Sequence, residues 1–487
     1  MSGSDVGGYA VLTDAMAAEL ESRLHGRIIR PDDPDYDEAR SVYNRMIDRR
    51  PALIARPAGT ADVVACVAFA LGHDLQVSVR GGGHSVAGRA VCDDGLVIDL
   101  SDMNAVHVDP VHRVARAQGG ATFAALDHET CAFGLAAVGG VVSTTGIAGL
   151  TLGGGIGWLQ SKYGLTCDNV LLAEVVTADA RVVKASATEN EDLFWGLRGG
   201  GGNFGIVTWF EYRLHPIPDQ ILAGPLLYDG DKASELLRWY GDWTKAEPDE
   251  ITSFMVFLNA PAWPILPERL HGKPMVGLAV AYCGSLKDAE RAYQPIRQAA
   301  EAELDLIEPV PYTKLQTMSD YDWRPGRLNY WKPSFLQPMS EGLADTIVEN
   351  VGCFVPPDLG DESADVIPAQ PTNCFEIGYM GGATRRVGEN DTAYSRRDAD
   401  YLINVTSVWE KPEESERMIA WAQKFSKALR PFEVGGGYVN YFSSDEGDER
   451  VRATYGPEKY ARLAALKQKY DPTNFFRLNP NVKPSDG

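Results

Sequence analysis

Basic residues are scarce in this 487-residue chain: 46 lysines and arginines stand against 67 aspartates and glutamates, for a formal net charge of −21. Nucleic acids and anionic membranes bind basic surfaces, so the shortage argues against both as partners. No apolar run is long enough to span a bilayer, and the first residues lack the basic and apolar regions of a signal peptide. We therefore expect a cytoplasmic protein that acts on small molecules.

Paired cysteines and metal-binding patterns are also missing. The eight histidines all precede residue 272, and none shows the i, i+4 spacing of a zinc site, so we predict no metal. An acid–base group from the C-terminal part must then be Tyr, Asp, Glu, Lys or Cys. The seven cysteines have no paired spacing, which is typical of buried thiols in a reducing compartment. They are Cys66, Cys92, Cys131, Cys167, Cys283, Cys353 and Cys374.

Three consecutive glycines followed by a histidine form the most informative short motif, Arg80-Gly81-Gly82-Gly83-His84-Ser85. The preceding Leu75–Val79 alternates apolar and polar residues, as a half-buried strand does. Glycines let the backbone turn sharply and present bare N–H groups to an anion such as a pyrophosphate, and Arg80 adds positive charge. The motif predicts that His84 lies beside a phosphate-bearing cofactor, whereas a histidine with no such neighbours is more often structural.

Two further tracts are rich in glycine. Eight of the nineteen positions from Gly139 to Gly157 are glycine, and Gly199–Gly202 contains four more. This density suits backbone that lies flat against a large planar ligand, although tight turns between strands would produce it as well. The run Gly153–Gly157 lacks the glycine spacing of a dinucleotide-binding βαβ unit, so a nicotinamide site is not indicated.

The periodicity of the chain predicts an α+β protein in three segments. Residues 1–218 contain short strands and helices and end at a proline pair that halts both kinds of element. Residues 219–430 combine strands with long covering helices, and glycines return in residues 431–487, whose tail we expect to pack on the first segment. The predicted helices of the last two segments are Lys232–Thr244, Asp288–Ala302, Asp398–Val408, Glu413–Leu429 and Pro457–Tyr470.

Longer motifs extend from about residue 45 to the C terminus. They are Arg80–Ser85, Lys162–Asn169, Asp192–Gly201, Asn203–Thr208, Tyr438–Tyr441 and Asp471–Asn481. Together they resemble the berberine bridge enzyme-type FAD-linked oxidases of the vanillyl-alcohol oxidase superfamily, which include hydroxynicotine and oligosaccharide oxidases. The resemblance implies an α+β fold with a two-part PCMH-type FAD-binding domain, formed by residues 1–218 and 431–487. It also implies a substrate domain, residues 219–430, with an antiparallel sheet covered by helices.

The same resemblance implies FAD as the cofactor, bonded covalently through His84 to the 8α-methyl group of the isoalloxazine. A neutral imidazole is nucleophilic near pH 7, which suits this role. The residues expected to contact FAD are Arg80, Gly81, Gly82, Gly83, His84, Ser85, Gly139, Gly140, Val142, Ser143, Thr145, Gly146, Gly149, Gly153, Gly154, Gly157, Ile206, Val207, Asn440 and Asn479.

Two positions in the glycine-rich tract bear on the chemistry that the resemblance implies. Many relatives carry a second bond, from a cysteine to flavin C6; the matching position here is Val142, which cannot form a thioether. Cys131 and Cys167 are out of register with it, so we expect a single covalent bond. Three residues further on, valine is typical of oxidases and isoleucine or leucine of dehydrogenases. Thr145 is close to valine in volume and favours an oxidase that produces hydrogen peroxide.

The resemblance further implies hydride transfer from a substrate C–H to flavin N5, with a base that removes the O–H proton of an alcohol. In many relatives this base is a tyrosine of the Tyr-x-Asn-Tyr strand. Tyr438 is the first candidate and Tyr441 the second. On a strand, Tyr438 and Asn440 would share a face, which would place Asn440 beside the base. A free tyrosine has a pKa of about 10, so a cation or hydrogen-bond donor must lower it.

The predicted strand Phe375–Tyr379 carries two more candidates for the base. Glu376 would supply a carboxylate, and Tyr379 would partner Tyr438. Their spacing places them on opposite sides of a strand, so at most one can reach the pocket. An aromatic cluster earlier in the middle segment suits stacking on a ring or a sugar, but equally suits a domain core. It consists of Tyr321, Trp323, Tyr330 and Trp331.

Three functions are compatible with these patterns. The first is a covalent FAD oxidase that acts on an alcohol, a sugar or an amine and reduces molecular oxygen. The second is an FAD-dependent dehydrogenase or an oxidative cyclase of secondary metabolism. The third, which the complete Tyr-x-Asn-Tyr motif disfavours, is a flavin-storage protein. The patterns leave both the substrate and the oligomeric state open.

Overall fold

The computed structural model describes residues 12–260, 266–351 and 374–485. The first sheet has the order β1-β2-β4-β3, in which β4 pairs parallel with both β2 and β3. Its apolar side chains pack on a helix that begins at Thr60, where the sequence predicted one from Ala61. The strands are β1 (Arg27–Ile29), β2 (Leu53–Arg56), β3 (Val77–Arg80) and β4 (Leu96–Asp99), and the helices are α1 (Asp14–Glu21), α2 (Tyr36–Arg40) and α3 (Thr60–Gly72).

The second sheet is antiparallel, with the order β5-β6-β10-β8-β9. The predicted cap at Thr122 is confirmed, because its hydroxyl accepts a hydrogen bond from the backbone N–H of Ala125 at 3.4 Å. The strands are β5 (Val106–Asp109), β6 (Val114–Gln118), β8 (Val170–Val176), β9 (Val182–Ser186) and β10 (Ile206–Arg213), with a separate pair β7 (Leu135–Ala136) and β11 (His215–Pro216). The helices are α4 (Phe123–Cys131), α5 (Ile147–Gly153), α6 (Gln160–Tyr163) and α7 (Glu191–Leu197).

The third sheet is the largest, and all of its strand pairs are antiparallel. Its order is β15-β12-β14-β13-β18-β19-β17, with β16 beside β12. The strands are β12 (Ile221–Asp229), β13 (Ile251–Asn259), β14 (Pro274–Tyr282), β15 (Leu304–Asp305), β16 (Glu308–Val310), β17 (Leu328–Leu336), β18 (Cys374–Tyr379) and β19 (Tyr401–Trp409). The helices of this part and of the tail are α8 (Ala233–Trp243), α9 (Leu286–Arg297), α10 (Tyr312–Thr317), α11 (Glu341–Val351), α12 (Ala383–Arg386), α13 (Ser415–Leu429) and α14 (Asp448–Tyr470).

The predicted helix Asp398–Val408 is wrong, because this segment is strand β19. Every residue of β19 is buried, so the alternation that marks a one-sided strand is absent from its sequence. Ile403 and Val405 face the covering helices, whereas Leu402 packs toward the first segment. The sheet is therefore buried on both faces.

The C-terminal segment packs on the first segment, as predicted. The buried Lys467 ammonium donates hydrogen bonds to the carbonyl oxygen of Asn203 at 2.7 Å and to that of Phe476 at 2.9 Å. Helix α14 begins nine residues before the predicted Pro457 and bends at Gly456, where φ is 71°. The exact division into segments at residues 218 and 430 stays a prediction.

Among the residues that the structure describes, no helix combines the length and apolar character that a membrane span requires. Within the same ranges, no group of three or more histidine, cysteine or acidic side chains is arranged to bind a metal ion. The six cysteines in these ranges are free thiols, and all but Cys131 are buried, as predicted. Cys353 lies outside the described residues.

Candidate functional site

One cavity brings together motifs that lie hundreds of residues apart in the sequence. All three glycine-rich tracts line it, together with the C-terminal tail and the strands β17, β18 and β19. The predicted FAD-contacting residues that line it are Gly81, Gly82, Gly83, His84, Ser85, Gly140, Val142, Thr145, Gly146, Gly149, Ile206, Val207, Asn440 and Asn479. The fold thus collects most of the predicted cofactor-binding residues on one surface.

Six predicted cofactor contacts do not line the cavity, and most of them have a packing role instead. A Cβ atom at Gly157 would lie 1.7 Å from the carbonyl oxygen of Gly139, so these two backbones touch each other. Gly153 makes room for the side chain of Asn440, and Gly154 makes room for the ring of Tyr394. The others are Ser143, which bonds to Asp320 through its N–H at 2.8 Å, and Arg80.

The glycine turn after β3 is packed too closely for any other residue. A Cβ atom at Gly82 would lie 2.5 Å from the backbone nitrogen of Gly146, and Gly83 has a φ of 67°. Arg80 supports the turn from behind, where its guanidinium bonds to the carbonyl oxygen of Ala39 and lies 3.8 Å from the Asp99 carboxylate. The backbone of the turn, and not the Arg80 charge, therefore faces the cavity.

His84 lies in the cavity wall with its ring stacked on Tyr43, at 4.0 Å between centroids and an interplanar angle of 19°. Burial lowers the pKa of His84 to about 4, so the imidazole is neutral at pH 7. Its Nε2 atom is buried and has no hydrogen-bond partner among the described residues. A neutral, unpartnered imidazole beside a glycine cradle fits a covalent attachment to a cofactor.

Arg89 is the single cationic side chain among the described residues that line the cavity. It forms no ion pair or hydrogen bond with any side chain in the described ranges, and burial lowers its pKa to about 10. The guanidinium is therefore still charged at pH 7, and an anionic group in the cavity would neutralise it. The sequence analysis missed Arg89, although it lies only five residues after His84 in the same loop.

Tyr438 is not on a strand, because Val439–Tyr441 forms a 3₁₀ turn. The expected closeness to Asn440 is present for a different reason: the Asn440 amide donates to the Tyr438 hydroxyl at 2.7 Å. The backbone N–H of Gly155 donates to the same oxygen at 2.8 Å. Burial nevertheless raises the pKa of Tyr438 well above its ordinary value, so the phenol stays protonated at pH 7.

Glu376 reaches the cavity and Tyr379 does not, in agreement with the prediction that at most one of them would. Tyr379 packs toward the covering helices on the opposite face of β18. Burial raises the pKa of Glu376 to about 7, and a hydrogen bond from the Tyr441 hydroxyl opposes the rise. A carboxyl with a pKa near 7 is suited to proton transfer at neutral pH.

Two of the four predicted aromatic residues line the cavity, namely Trp323 and Trp331. The Trp331 ring meets Trp323 edge to face at 5.5 Å and Tyr441 at 5.4 Å. Tyr330 faces the other side of β17, and Tyr321 is exposed. The sequence analysis also missed Asn404, which lies directly opposite Glu376 on β19 and lines the cavity, because this segment was predicted as a helix.

Comparisons with known proteins agree with this geometry. A family model described as "FAD binding domain" matches residues 51–186, and one described as "Berberine and berberine like" matches residues 437–483. The chain is 33% identical to (R)-6-hydroxynicotine oxidase of Paenarthrobacter nicotinovorans over 482 residues, covering 96% of this chain and 99% of that protein.

Solved structures show the same fold. The 6-hydroxy-D-nicotine oxidase from Arthrobacter nicotinovorans is similar with a TM-score of 0.83 and 32% identity, covering 95% of this chain and 98% of that one. Glucooligosaccharide oxidase from Acremonium strictum, described with a 6-S-cysteinyl, 8α-N1-histidyl FAD, has a TM-score of 0.83 and 25% identity, covering 97% of this chain and 100% of that one.

The two-part fold and the cavity define a flavoprotein that uses FAD for oxidation and reduction. The chain belongs to the berberine bridge enzyme-like family of FAD-linked oxidoreductases.

Proposed function

We propose that this protein is an oxidase with FAD bonded covalently through His84, which oxidises a small molecule and produces hydrogen peroxide from molecular oxygen. The observation that carries the proposal is the neutral, unpartnered imidazole of His84 in the wall of the cavity. The 8α-N1-histidyl FAD of the fungal glucooligosaccharide oxidase supports it. At the position where the resemblance implies a second attachment, this chain has Val142, which lines the cavity and cannot form a thioether. We therefore propose the bond to His84 as the single tether.

The FAD, when bound, supplies a two-electron acceptor. We propose that the backbone N–H groups of Gly81–Gly83 bind its pyrophosphate, since this turn exposes backbone and no side chain to the cavity. Tyr43 holds the imidazole in place by stacking, and its own N–H donates to the carbonyl oxygen of Gly83 at 3.0 Å. Thr145 lines the same cavity, and its small side chain is compatible with access of oxygen.

We propose Glu376 as the base. Its carboxylate would take the proton of a substrate O–H or N–H group, while the Tyr441 hydroxyl donates a hydrogen bond that holds the carboxylate in place. Tyr438 stays protonated, so it would orient the substrate through its hydroxyl without taking a proton. The pKa values therefore favour the carboxylate over the two tyrosines.

We also propose that residues 1–218 and 431–487 form the FAD-binding domain and residues 219–430 the substrate domain. A shared apolar core supports the first grouping, since Leu463 and Leu466 of α14 pack with Phe204 and Phe210. Four described side chains of the middle segment line the cavity opposite the glycine tracts, where a substrate would meet the flavin: Trp323, Trp331, Glu376 and Asn404.

The covalent bond is tested by the mass of the intact protein and by acid precipitation. We expect the purified protein to be heavier than its polypeptide by one FAD, and its yellow colour to pellet with the protein. The His84→Ala variant should release all flavin into the supernatant, whereas the control His107→Ala, on the second sheet away from the cavity, should retain it. A bare polypeptide mass for the cofactor-saturated protein would overturn the proposal, as would colour that still pellets with His84→Ala.

A further inference from the structure

The substrate end of the cavity contains two buried polar groups that the fold leaves unsatisfied. Asn404 and Trp331 are only 2% and 6% exposed, and both line the cavity. The Asn404 Oδ1 acceptor and the Trp331 Nε1 donor have no hydrogen-bond partner among the described residues. Buried polar groups without partners are costly, so their retention at a cavity wall indicates a ligand that satisfies them.

The strand register places these groups around one small space. Glu376 lies directly across from Asn404, which puts their Cβ atoms about 5 Å apart. Pro333 is the partner of Asn404 on β17, so Trp331, two residues earlier, is its diagonal neighbour at about 7 Å. All three side chains project from the face of the sheet that is turned toward the glycine tracts. A single small molecule can therefore reach all of them.

The chemistry of these groups selects a cation. The middle segment contributes a carboxyl, an amide and two indoles to the described cavity wall, and no basic side chain. A carboxylate or phosphate group would find no counter-charge on this side of the described wall, because Arg89, its single cation, belongs to the first segment. An ammonium group would donate hydrogen bonds to both Glu376 and Asn404 Oδ1, and the aromatic residues Trp323 and Tyr441 line the same cavity.

We infer that the substrate is a small amine, bound in its ammonium form by Glu376 and Asn404, and that Asn404 determines the preference for amines over alcohols and sugars. The Trp331 N–H requires an acceptor on the same molecule, such as a ring nitrogen or a hydroxyl oxygen. This inference rests on the proposed function. It assigns to the oxidase one of the substrate classes that the sequence left open.

The reaction balances with the groups present. Glu376 takes one proton from the ammonium group, which leaves the neutral amine. The hydrogen on the adjacent carbon leaves with its electron pair to FAD, and the nitrogen lone pair forms the C=N bond of an iminium ion. Water then hydrolyses the iminium to a carbonyl compound and releases the nitrogen as an ammonium ion. Molecular oxygen takes up the two electrons and, with the hydrogen of the transferred hydride and the proton held by Glu376, leaves as hydrogen peroxide.

Matched pairs of amines and alcohols test the inference on the complete holoenzyme. The probes are benzylamine with benzyl alcohol, 4-hydroxybenzylamine with 4-hydroxybenzyl alcohol, and 2-(aminomethyl)pyridine with 2-pyridinemethanol, and cellobiose represents the sugars. The measurement is the dissociation constant under anaerobic conditions. It comes from the shift in the visible flavin spectrum for probes that leave the flavin oxidised, and from the concentration dependence of the reduction rate for probes that reduce it. We expect each amine to bind about tenfold tighter than its alcohol, and cellobiose to bind weakest. Alcohols or cellobiose that bind as tightly as the amines, or amines that fail to bind at millimolar concentration, would overturn the inference.

Variants of the strand separate the role of Asn404 from a general packing role. Asn404→Leu should weaken the amines about tenfold and leave the alcohols nearly unchanged, whereas Asn404→Asp, which keeps an acceptor, should retain amine binding. Ile403→Val is the matched control, because Ile403 immediately precedes Asn404 on β19 and faces the covering helices. Trp331→Phe should remove the advantage of the two acceptor-bearing amines over benzylamine. Equal amine affinity in Asn404→Leu and the wild type would refute the assignment.

The two proposals fail in different ways. A protein without bound flavin contradicts the proposed function. A flavin-bearing protein that shows no preference for amines contradicts only the inference about the substrate. Flavin content is measured in every variant before the probes are added, and it identifies any variant that has lost its fold. If Asn404→Leu is lost in this way, Asn404→Asp and Trp331→Phe test the inference.

Discussion

At the scale of single residues, environment separates side chains that the sequence treats alike. Tyr438, Tyr441, Tyr379 and Glu376 were all candidates for the base, and only the fold shows which of them reach the cavity. Burial disfavours the charged form of all four groups and so raises their pKa values. The pKa of the Glu376 carboxyl rises to about 7, whereas those of the Tyr438 and Tyr441 phenols rise far above 7. The group with the lowest starting pKa is therefore the one that burial brings into a useful range.

A prediction at this scale concerns the pH dependence of flavin reduction. Glu376 accepts a proton only as a carboxylate, and its pKa is about 7, so the reduction rate of a substrate should rise as the pH increases through 7. Glu376→Gln should reduce the rate about 100-fold and remove this rise. Tyr438→Phe should cost less than tenfold, and Tyr379→Phe, on the other face of β18, should change nothing. Stopped-flow measurement without oxygen gives the flavin-reduction rate of the wild type and of the three variants. A larger loss of rate in Tyr438→Phe than in Glu376→Gln would assign the base to Tyr438.

At the scale of elements, local pattern and tertiary environment disagree in a few places. Strand β19 is buried on both faces, which removes the alternation by which an exposed strand is recognised. The Tyr438–Tyr441 segment forms a turn that contacts α5, although its aromatic residues favour strands. The glycine turn, in contrast, was predicted correctly, since its requirement is a backbone conformation that glycine alone adopts freely.

The glycine turn supplies a prediction for one element. Gly82→Ala would place a methyl group 2.5 Å from the backbone nitrogen of Gly146, so the two backbones would have to move apart and change the turn that we propose to hold the cofactor. We expect this variant to lose most of its covalent flavin and to melt several degrees lower. Gly59→Ala is the control, because no atom lies within 4 Å of the added methyl group. Absorbance at the flavin band per polypeptide measures the first effect, and full flavin occupancy in Gly82→Ala would contradict the role of the turn.

At the scale of the whole molecule, buried polar contacts join the first and middle segments. The Asp168 carboxylate pairs with the Arg397 guanidinium at 2.6 Å, with both side chains almost fully buried. Asp127 of α4 accepts a hydrogen bond from Gln316 of α10 at 2.9 Å. Among the described residues, the second Asp127 oxygen and the Gln316 amide oxygen have no hydrogen-bond partner. Burial raises the pKa of Asp127 to about 7, and the hydrogen bond from Gln316 opposes the rise.

This contact predicts how stability depends on pH. The pKa of Asp127 is raised in the folded state, so its contribution is complete below about pH 4 and is lost as the pH rises through 7. Asp127→Asn keeps the hydrogen bond from Gln316 and adds a donor for the unpartnered Gln316 oxygen. It should nearly match the wild type at pH 4 and exceed it by roughly 4 kcal/mol at pH 9. Calorimetric melting at both pH values measures this, with the exposed Asp102→Asn as the control; a variant less stable than the wild type at pH 9 would disprove it.

By itself, the sequence determined the family, the cofactor and the glycine turn that carries His84, because these depend on residue types whose backbone freedom or chemistry is local. The sequence also predicted that at most one of Glu376 and Tyr379 would reach the pocket, since alternation along a strand is a local property as well. Tertiary structure alone decided that Arg80 faces away from the cavity, that Asn404 and Arg89 face into it, and that Glu376 has a pKa near 7. Those outcomes depend on burial and on contacts between segments far apart in the chain, which no local pattern contains.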